Sequence, residues 1–241
     1  VTVGGNLVAT TDDNDGVINM DQLAVDGSIA LVTDGNGAAT VENDASIEFA
    51  TSTVRGALTA TANNGDITDS GTLTITGASL FTTKVDGRNI VLDSSGNSFA
   101  AAVTMKAGAA GGETFGNITF VDSAAVKLHS SAGTNGDLFI DAGTDLAVGG
   151  NLSITATTGN ITQGSEVAVG GTTTLVTSAN DATITLNDAD NAFTGALTIT
   201  TNDNSGTDAD VTIDGGTTAL IIAASTIDGD LTLTGGHASG I

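Results

Sequence analysis

Apolar and polar residues alternate with a period of two in a long succession of short segments, and this pattern constrains the fold more than any other feature. Examples are TLTITG at 72–77, NIVLDS at 89–94, AVTMKA at 102–107, NITFVD at 117–122, NLSITA at 151–156, ATITLN at 182–187, ALTITT at 196–201 and DLTLTG at 230–235. Period-two alternation puts Val, Ile and Leu on one side of a strand and Thr, Ser or Asp on the other, and each run stops at Gly, Asn, Asp or Ser turn chemistry. Helical spacing never persists beyond one turn, and the density of Thr and Gly opposes helix on propensity. The expected fold class is all-β.

The segments also repeat. Shifted by 94 residues, GALTATANNGDITDSGTLTITGASLFTT (56–83) lies on GNLSITATTGNITQGSEVAVGGTTTLVT (150–177) without a gap, and 89–105 continues onto 183–199. About a third of the aligned positions are identical, among them Leu58/Leu152, Ile67/Ile161, Gly77/Gly171, Asn97/Asn191 and Phe99/Phe193, as repeat architectures require. A looser copy starts at Gly5. Repeats of approximately 5–55, 56–149 and 150–241 therefore make one domain spanning 1–241. Strand centres fall every ~7 to 10 residues, which leaves no room for helical crossovers. Three strands per turn gives coils of about 20–23 residues stacked as a parallel β-helix (β-solenoid), roughly ten to twelve coils in all.

Composition narrows the function. The 241 residues hold 28 acids against 5 Lys+Arg, a formal charge of −23, with 33 glycines and no Pro, Cys, Trp or Tyr. Such a polyanion repels phosphate backbones and anionic lipid, so neither nucleic-acid partners nor membrane insertion is expected. No run approaches the ~18 to 20 apolar residues of a membrane-spanning helix, and Val1–Ala9 lack the basic start of a signal peptide, as in a mature chain or an excised fragment.

Candidate sites are few. Carboxylate pairs at Asp188/Asp190, Asp208/Asp210 and Asp228/Asp230 have the chemistry of general acid–base groups, but turn aspartates commonly cap backbone N–H groups. His129 and His237 have no partner at metal spacing. The oxygen-rich loops at 11–16 and 201–206 offer Asp13, Asp15 and Asp203 as calcium ligands, although both lack the bidentate Glu of an EF-hand. No other cofactor is expected. Phe99 and Phe193 sit at inward phases and are expected to stack in the core, with Asn97 and Asn191 as turn residues before them. The sequons at Asn117, Asn151 and Asn160 are expected by chance in a Thr-rich chain. Outward Thr-x-Thr pairs such as Thr183/Thr185 and Thr198/Thr200 are expected at different phases of the coil, which argues against an aligned ice-binding face. All five cations, Arg55, Lys84, Arg88, Lys106 and Lys127, lie in a near-neutral band between two acidic ends, a candidate contact surface.

The stretch GNLSITATTGNITQGSEVAVGGTTTLVTSANDATITLNDADNAFTGALTI resembles the repeat regions of filamentous-haemagglutinin-like, two-partner-secreted bacterial exoproteins, well over 56–105 and 150–235 and loosely before. With no proline, the chain lacks the Asn-Pro-Asn motifs of that family's secretion domain, so the resemblance is to the shaft. It implies a right-handed parallel β-helix in a secreted, extracellular or cell-surface protein, structural or adhesive rather than enzymatic. The implied partners are neighbouring coils of a longer chain or identical subunits end to end, and a host or cell-surface glycan or protein receptor. The alternatives are a subunit of a polymerising filament and a glycan- or ice-binding module.

Overall fold

The structure is a computed structural model that describes residues 1–108, 116–129, 137–140, 146–202 and 206–236. The described residues contain strands and turns and no helix, and all named strand pairs are parallel. They stack as a β-solenoid of about nine turns. That is fewer than the spacing suggested, because the rungs are unequal. Partners lie 19 residues apart at Ala39↔Leu58 and 24 at Ser79↔Val103, within or near the expected coil length. They lie 28 apart at Ile90↔Ile118 and 34 at Ile118↔Leu152. The longest spacings fall around the stretch where Asp137–Ile140 is inserted in the first ladder between Val103–Ala107 and Val126–His129.

Two long ladders carry the fold. The first runs through Ala39–Asn43, Leu58–Ala62, Ser79–Thr83, Val103–Ala107, Asp137–Ile140, Val126–His129, Ile161–Gln163, Ile184–Leu186, Val211–Asp214 and Leu231–Thr234. The second runs through Ile47–Phe49, Ile67–Asp69, Ile90–Leu92, Ile118–Asp122, Leu152–Ala156, Thr173–Thr177 and Leu197–Thr200. Short strands close the third side, Ser52–Val54, Leu73–Ile75 and Ser98–Phe99 in one half, and Leu146–Val148, Val167–Val169 and Ala192–Phe193 in the other.

The two sequence copies do not occupy the same ladders. Leu58–Ala62 belongs to the first, whereas its counterpart 94 residues on, Leu152–Ala156, belongs to the second; Ile67–Asp69 and Ile161–Gln163 are exchanged the other way. The exchange coincides with the long rungs between 107 and 152, where strand Asp137–Ile140 pairs with both Val103–Ala107 and Val126–His129.

Most inward positions are apolar, and burying them is the main favourable term in folding. Phe49, Phe81, Phe99 and Phe120 form a continuous aromatic column, with ring centroids 6.2 Å apart for the first two contacts and 5.1 Å for the third. Phe193 is likewise fully buried, so the inward phase expected for Phe99 and Phe193 holds. Corners are closed by stacked glycines. Gly77 N–H donates to Gly56 O at 3.0 Å, and Gly171 N–H to Gly150 O at 2.9 Å. A Cβ at Gly77 would sit 2.5 Å from Ala57 N, and one at Gly171 2.6 Å from Gly150 O, so glycine is required there by close backbone approach.

Candidate functional site

The solenoid's distinctive chemistry lies at its corners, where the chain turns and backbone N–H groups lose their in-ladder partners. A buried side-chain oxygen from an adjacent rung replaces the missing carbonyl. Asn43 Oδ1 accepts the N–H of Val25 at 2.9 Å, Ser52 Oγ that of Leu31 at 3.0 Å and Asn97 Oδ1 that of Leu73 at 2.8 Å. Asn191 Oδ1 accepts the N–H of Val167 at 2.8 Å, and Thr218 Oγ1 that of Phe193 at 3.0 Å.

Asn97 and Asn191 close turns as expected, their N–H groups donating to Ser94 O and Asp188 O, but their side chains point inward. Both are fully buried, and neither backbone is left-handed; among non-glycine residues that conformation occurs at Asp15 and Asp181. Each is held by the residue 28 positions earlier: Asn97 Nδ2 donates to Asp69 Oδ2 at 2.6 Å, and Asn191 exchanges two bonds with Gln163 at 2.9 and 3.1 Å. The paired offsets, Asp69 with Asn97 and Gln163 with Asn191, were present in the repeat and could have signalled a bonded couple.

The sequence reading missed Asp122. It is 2 % exposed and is the one carboxylate in the buried polar set of the described residues. It accepts the N–H of Phe99 at 3.2 Å, and burial holds its carboxyl above the usual aspartate value, opposed by backbone N–H groups of Phe99, Ala124 and Ser123.

On the outside, a second ladder of amides climbs one corner. Asn89 N–H donates to Asp66 Oδ1, Asn117 N–H to Asn89 Oδ1, Asn151 N–H to Asn117 Oδ1 and Thr172 N–H to Asn151 Oδ1, at 2.8–2.9 Å. Asn160 Oδ1 accepts from Thr183 N–H in the same manner. The three sequon asparagines therefore all have a place in the rung-to-rung bonding.

Asp15 is left-handed at φ 64° and its Oδ1 accepts the N–H of Asn36 at 2.6 Å, while Asp13 O accepts the N–H of Gly16. Asp203 and His237 lie outside the described residues, as does the side chain of His129. Among the described residues no group of three or more His, Asp or Glu is placed to hold a metal ion. Two of the carboxylate pairs have backbone work: Asp188 Oδ1 accepts from Asp190 N–H and Asp210 Oδ1 from Asp230 N–H.

The five cations spread over one side and its corners. Arg55 pairs with Asp34 at 3.7 Å, and Lys84 reaches Glu42 at 2.8 Å. The bond from Lys84, with a second from Asn63, holds the Glu42 carboxyl below its usual value. Lys106 continues an outward column, Glu42–Thr61–Thr82–Lys106, Lys127 lies opposite Thr162, and Arg88 is half-buried in the connection from the first ladder to the second.

Threonines align more than their spacing implied. Individual Thr-x-Thr pairs do fall on different ladders, but the register builds columns within each: Thr162–Thr185–Thr212–Thr232 on the first, and Thr119–Ser153–Thr174–Thr198 beside Val121–Thr155–Val176–Thr200 on the second. Length variation is absorbed at the corners, so strands stay in phase even where coils differ in length.

Comparison with curated proteins and with solved structures gives no match. A repeat family described as "Repeats of unknown function (DUF5649)" matches residues 36–106 and 135–200, the two stretches that hold the ungapped copies and more than half of the chain. The chain belongs to this family of repeats.

Proposed function

We propose that this chain is a stiff segment of a secreted bacterial surface protein, structural and adhesive in role and without catalytic activity, as in the filamentous-haemagglutinin-like proteins whose shafts it resembles. The observation that carries the reading is the continuity of the two ladders: backbone bonds, buried Asn side chains that accept N–H groups of the adjacent coil, the Phe column and glycine corners all link one rung to the next, and such nearest-neighbour coupling adds into an axially rigid body. At ~4.8 Å per rung, nine turns make a rod roughly 43 Å long. Such a rod spaces or links what is attached to its ends. Neighbouring coils of a longer chain, or identical subunits placed end to end, would continue it at the edge of Leu231–Thr234. Because both ends are acidic, calcium or added salt would assist end-to-end contact. Small-angle scattering should give a rod cross-section that is unchanged across salt concentrations, and immobilised protein should retain cells or a surface glycan or protein receptor. A compact sphere in scattering refutes the rod, and absence of retention on any cell or glycan surface refutes the adhesive role.

The uncharged columns on Ile118–Asp122, Leu152–Ala156, Thr173–Thr177 and Leu197–Thr200 favour one second reading, a module that binds ice or a neutral glycan. None of the outward residues of these four strands carries a charge, in a chain of net charge −23. Thermal hysteresis tests the first ligand and a neutral-glycan array the second.

A further inference from the structure

Asp122 stands where the other copy of the repeat has a neutral residue. In the first ladder the inward column reads Asn43–Ala62–Thr83–Ala107. In the second it reads Asp122–Ala156–Thr177, and the sequence counterparts match rung for rung: Ala62 with Ala156, Thr83 with Thr177. Asn43 and Asp122 thus hold the same place below the first full copy and below the second. They also have the same task, since each accepts a buried N–H from the preceding coil, Val25 for Asn43 and Phe99 for Asp122.

Asn43 does more than accept. Its Nδ2 donates to Val25 O at 3.1 Å and Ser46 O at 2.7 Å, so one amide satisfies both kinds of corner group. An ionised Asp122 can only accept, from the N–H groups of Phe99, Ser123 and Ala124, and brings a buried charge that the neutral Asn43 amide does not, whereas a protonated Asp122 still accepts and is neutral like Asn43. The side chain is also buried, which penalises the charged form.

We propose that Asp122 is a pH-responsive joint between the two copies of the repeat: the rung where the ladders are exchanged is held more tightly when this carboxyl is protonated than when it is ionised.

Among the described residues, the elements packed against Asp122 bring few titratable side chains. The preceding coil brings Asp69, engaged with Asn97 and the N–H groups of Asp93 and Ser94, and Asp93. The coil above, 150–160, has no titratable side chain; its Thr157 N–H and hydroxyl both donate to Asp122 O. The next strand, Val126–His129, carries Lys127 and His129. The sign follows from linkage. With the folded-state carboxyl raised above its unfolded value, its stabilising contribution is complete below the unfolded value, near 3.8, and is lost as pH rises through the folded one.

The test compares denaturation midpoints of the wild-type chain, Asp122→Asn and Asp122→Thr from pH 3.5 to 7.5, with exposed Asp190→Asn as the control for general charge repulsion. Asp122→Asn is expected to match wild type at the acid end and to exceed it by a margin that widens with pH and then levels off. Asp122→Thr, which takes over the acceptor role as Thr218 does for Phe193, should follow the same flattened profile from a lower start. Hydrogen exchange should place the wild-type loss at residues 97–107 and 118–128. Parallel profiles for wild type and Asp122→Asn, or a widening equally produced by Asp190→Asn, overturn the proposal.

Discussion

The buried asparagine couples make a sharp test of how the corners work, because the two copies hold the same amide with chemically different partners. Asn191 is fully buried; its Oδ1 accepts the Val167 N–H at 2.8 Å and a Gln163 N–H at 2.9 Å, and its Nδ2 donates to Gln163 Oε1 at 3.1 Å and Asp214 O at 3.0 Å. Asn191→Ala leaves the Val167 N–H without a partner, a loss of about 1–3 kcal/mol, while the half-buried Gln163 amide can turn to water and recover part of its own. Asn97→Ala likewise orphans the Leu73 N–H and adds the loss of a charge-assisted bond to Asp69, about 1.5–3 kcal/mol. Substitution by Asp separates the two copies further. In Asn191→Asp the new carboxylate still faces the Gln163 amide, whereas in Asn97→Asp it replaces a donor 2.6 Å from the Asp69 carboxylate, and two such groups ionise together only at high cost. Denaturant unfolding followed by far-ultraviolet circular dichroism should rank Asn97→Asp well below Asn191→Asp at pH 7. The gap should narrow at pH 4, where the carboxylate pair shares a proton. Equal losses for the two Asp variants at pH 7, or an Asn191→Ala variant within about 0.5 kcal/mol of wild type, the ordinary range for exposed positions, would refute the reasoning.

Ser79 and Thr173, 94 residues apart and equivalent in the repeat, bury hydroxyls without a hydrogen-bond partner, so Ser79→Ala and Thr173→Val should each raise stability by about 1 kcal/mol, read as a shift in denaturation midpoint. Gly77→Ala and Gly171→Ala force a methyl against backbone of the rung below and should cost about 1–3 kcal/mol, with melting temperature as the readout, whereas Gly87→Ala should lose less, its strain being that of φ 73° alone with no atom within 4 Å. Phe81→Ala removes the centre of the aromatic column between Phe49 and Phe99 and should lower stability by about 3–5 kcal/mol, by equilibrium denaturation.

Much of this architecture is legible in the chain. Period-two alternation required strands, strand spacing too short for crossovers required parallel rungs, and inward phase placed Phe99 and Phe193 in the core. The coil count was less legible, since a corner can lengthen without any change in the alternating pattern that marks a strand. The burial of Asn97, Asn191 and Asp122 was illegible for a related reason. Polar residues beside Gly and Ser look alike whether they face water or reach into the corner, and the difference lies in which N–H the next rung presents.

The sequence alone determined that the chain is a repeat, that its strands have one apolar side and that its surface is strongly acidic, because periodicity and charge are properties of neighbours along the chain. Only the tertiary structure decided that equivalent strands of the two copies lie on different ladders, that threonines 20 to 27 residues apart form columns, and that the Asp122 carboxylate sits inside. Those facts depend on how many residues each corner absorbs before the next rung begins, and stacking sets that count through backbone hydrogen bonds between residues distant in sequence.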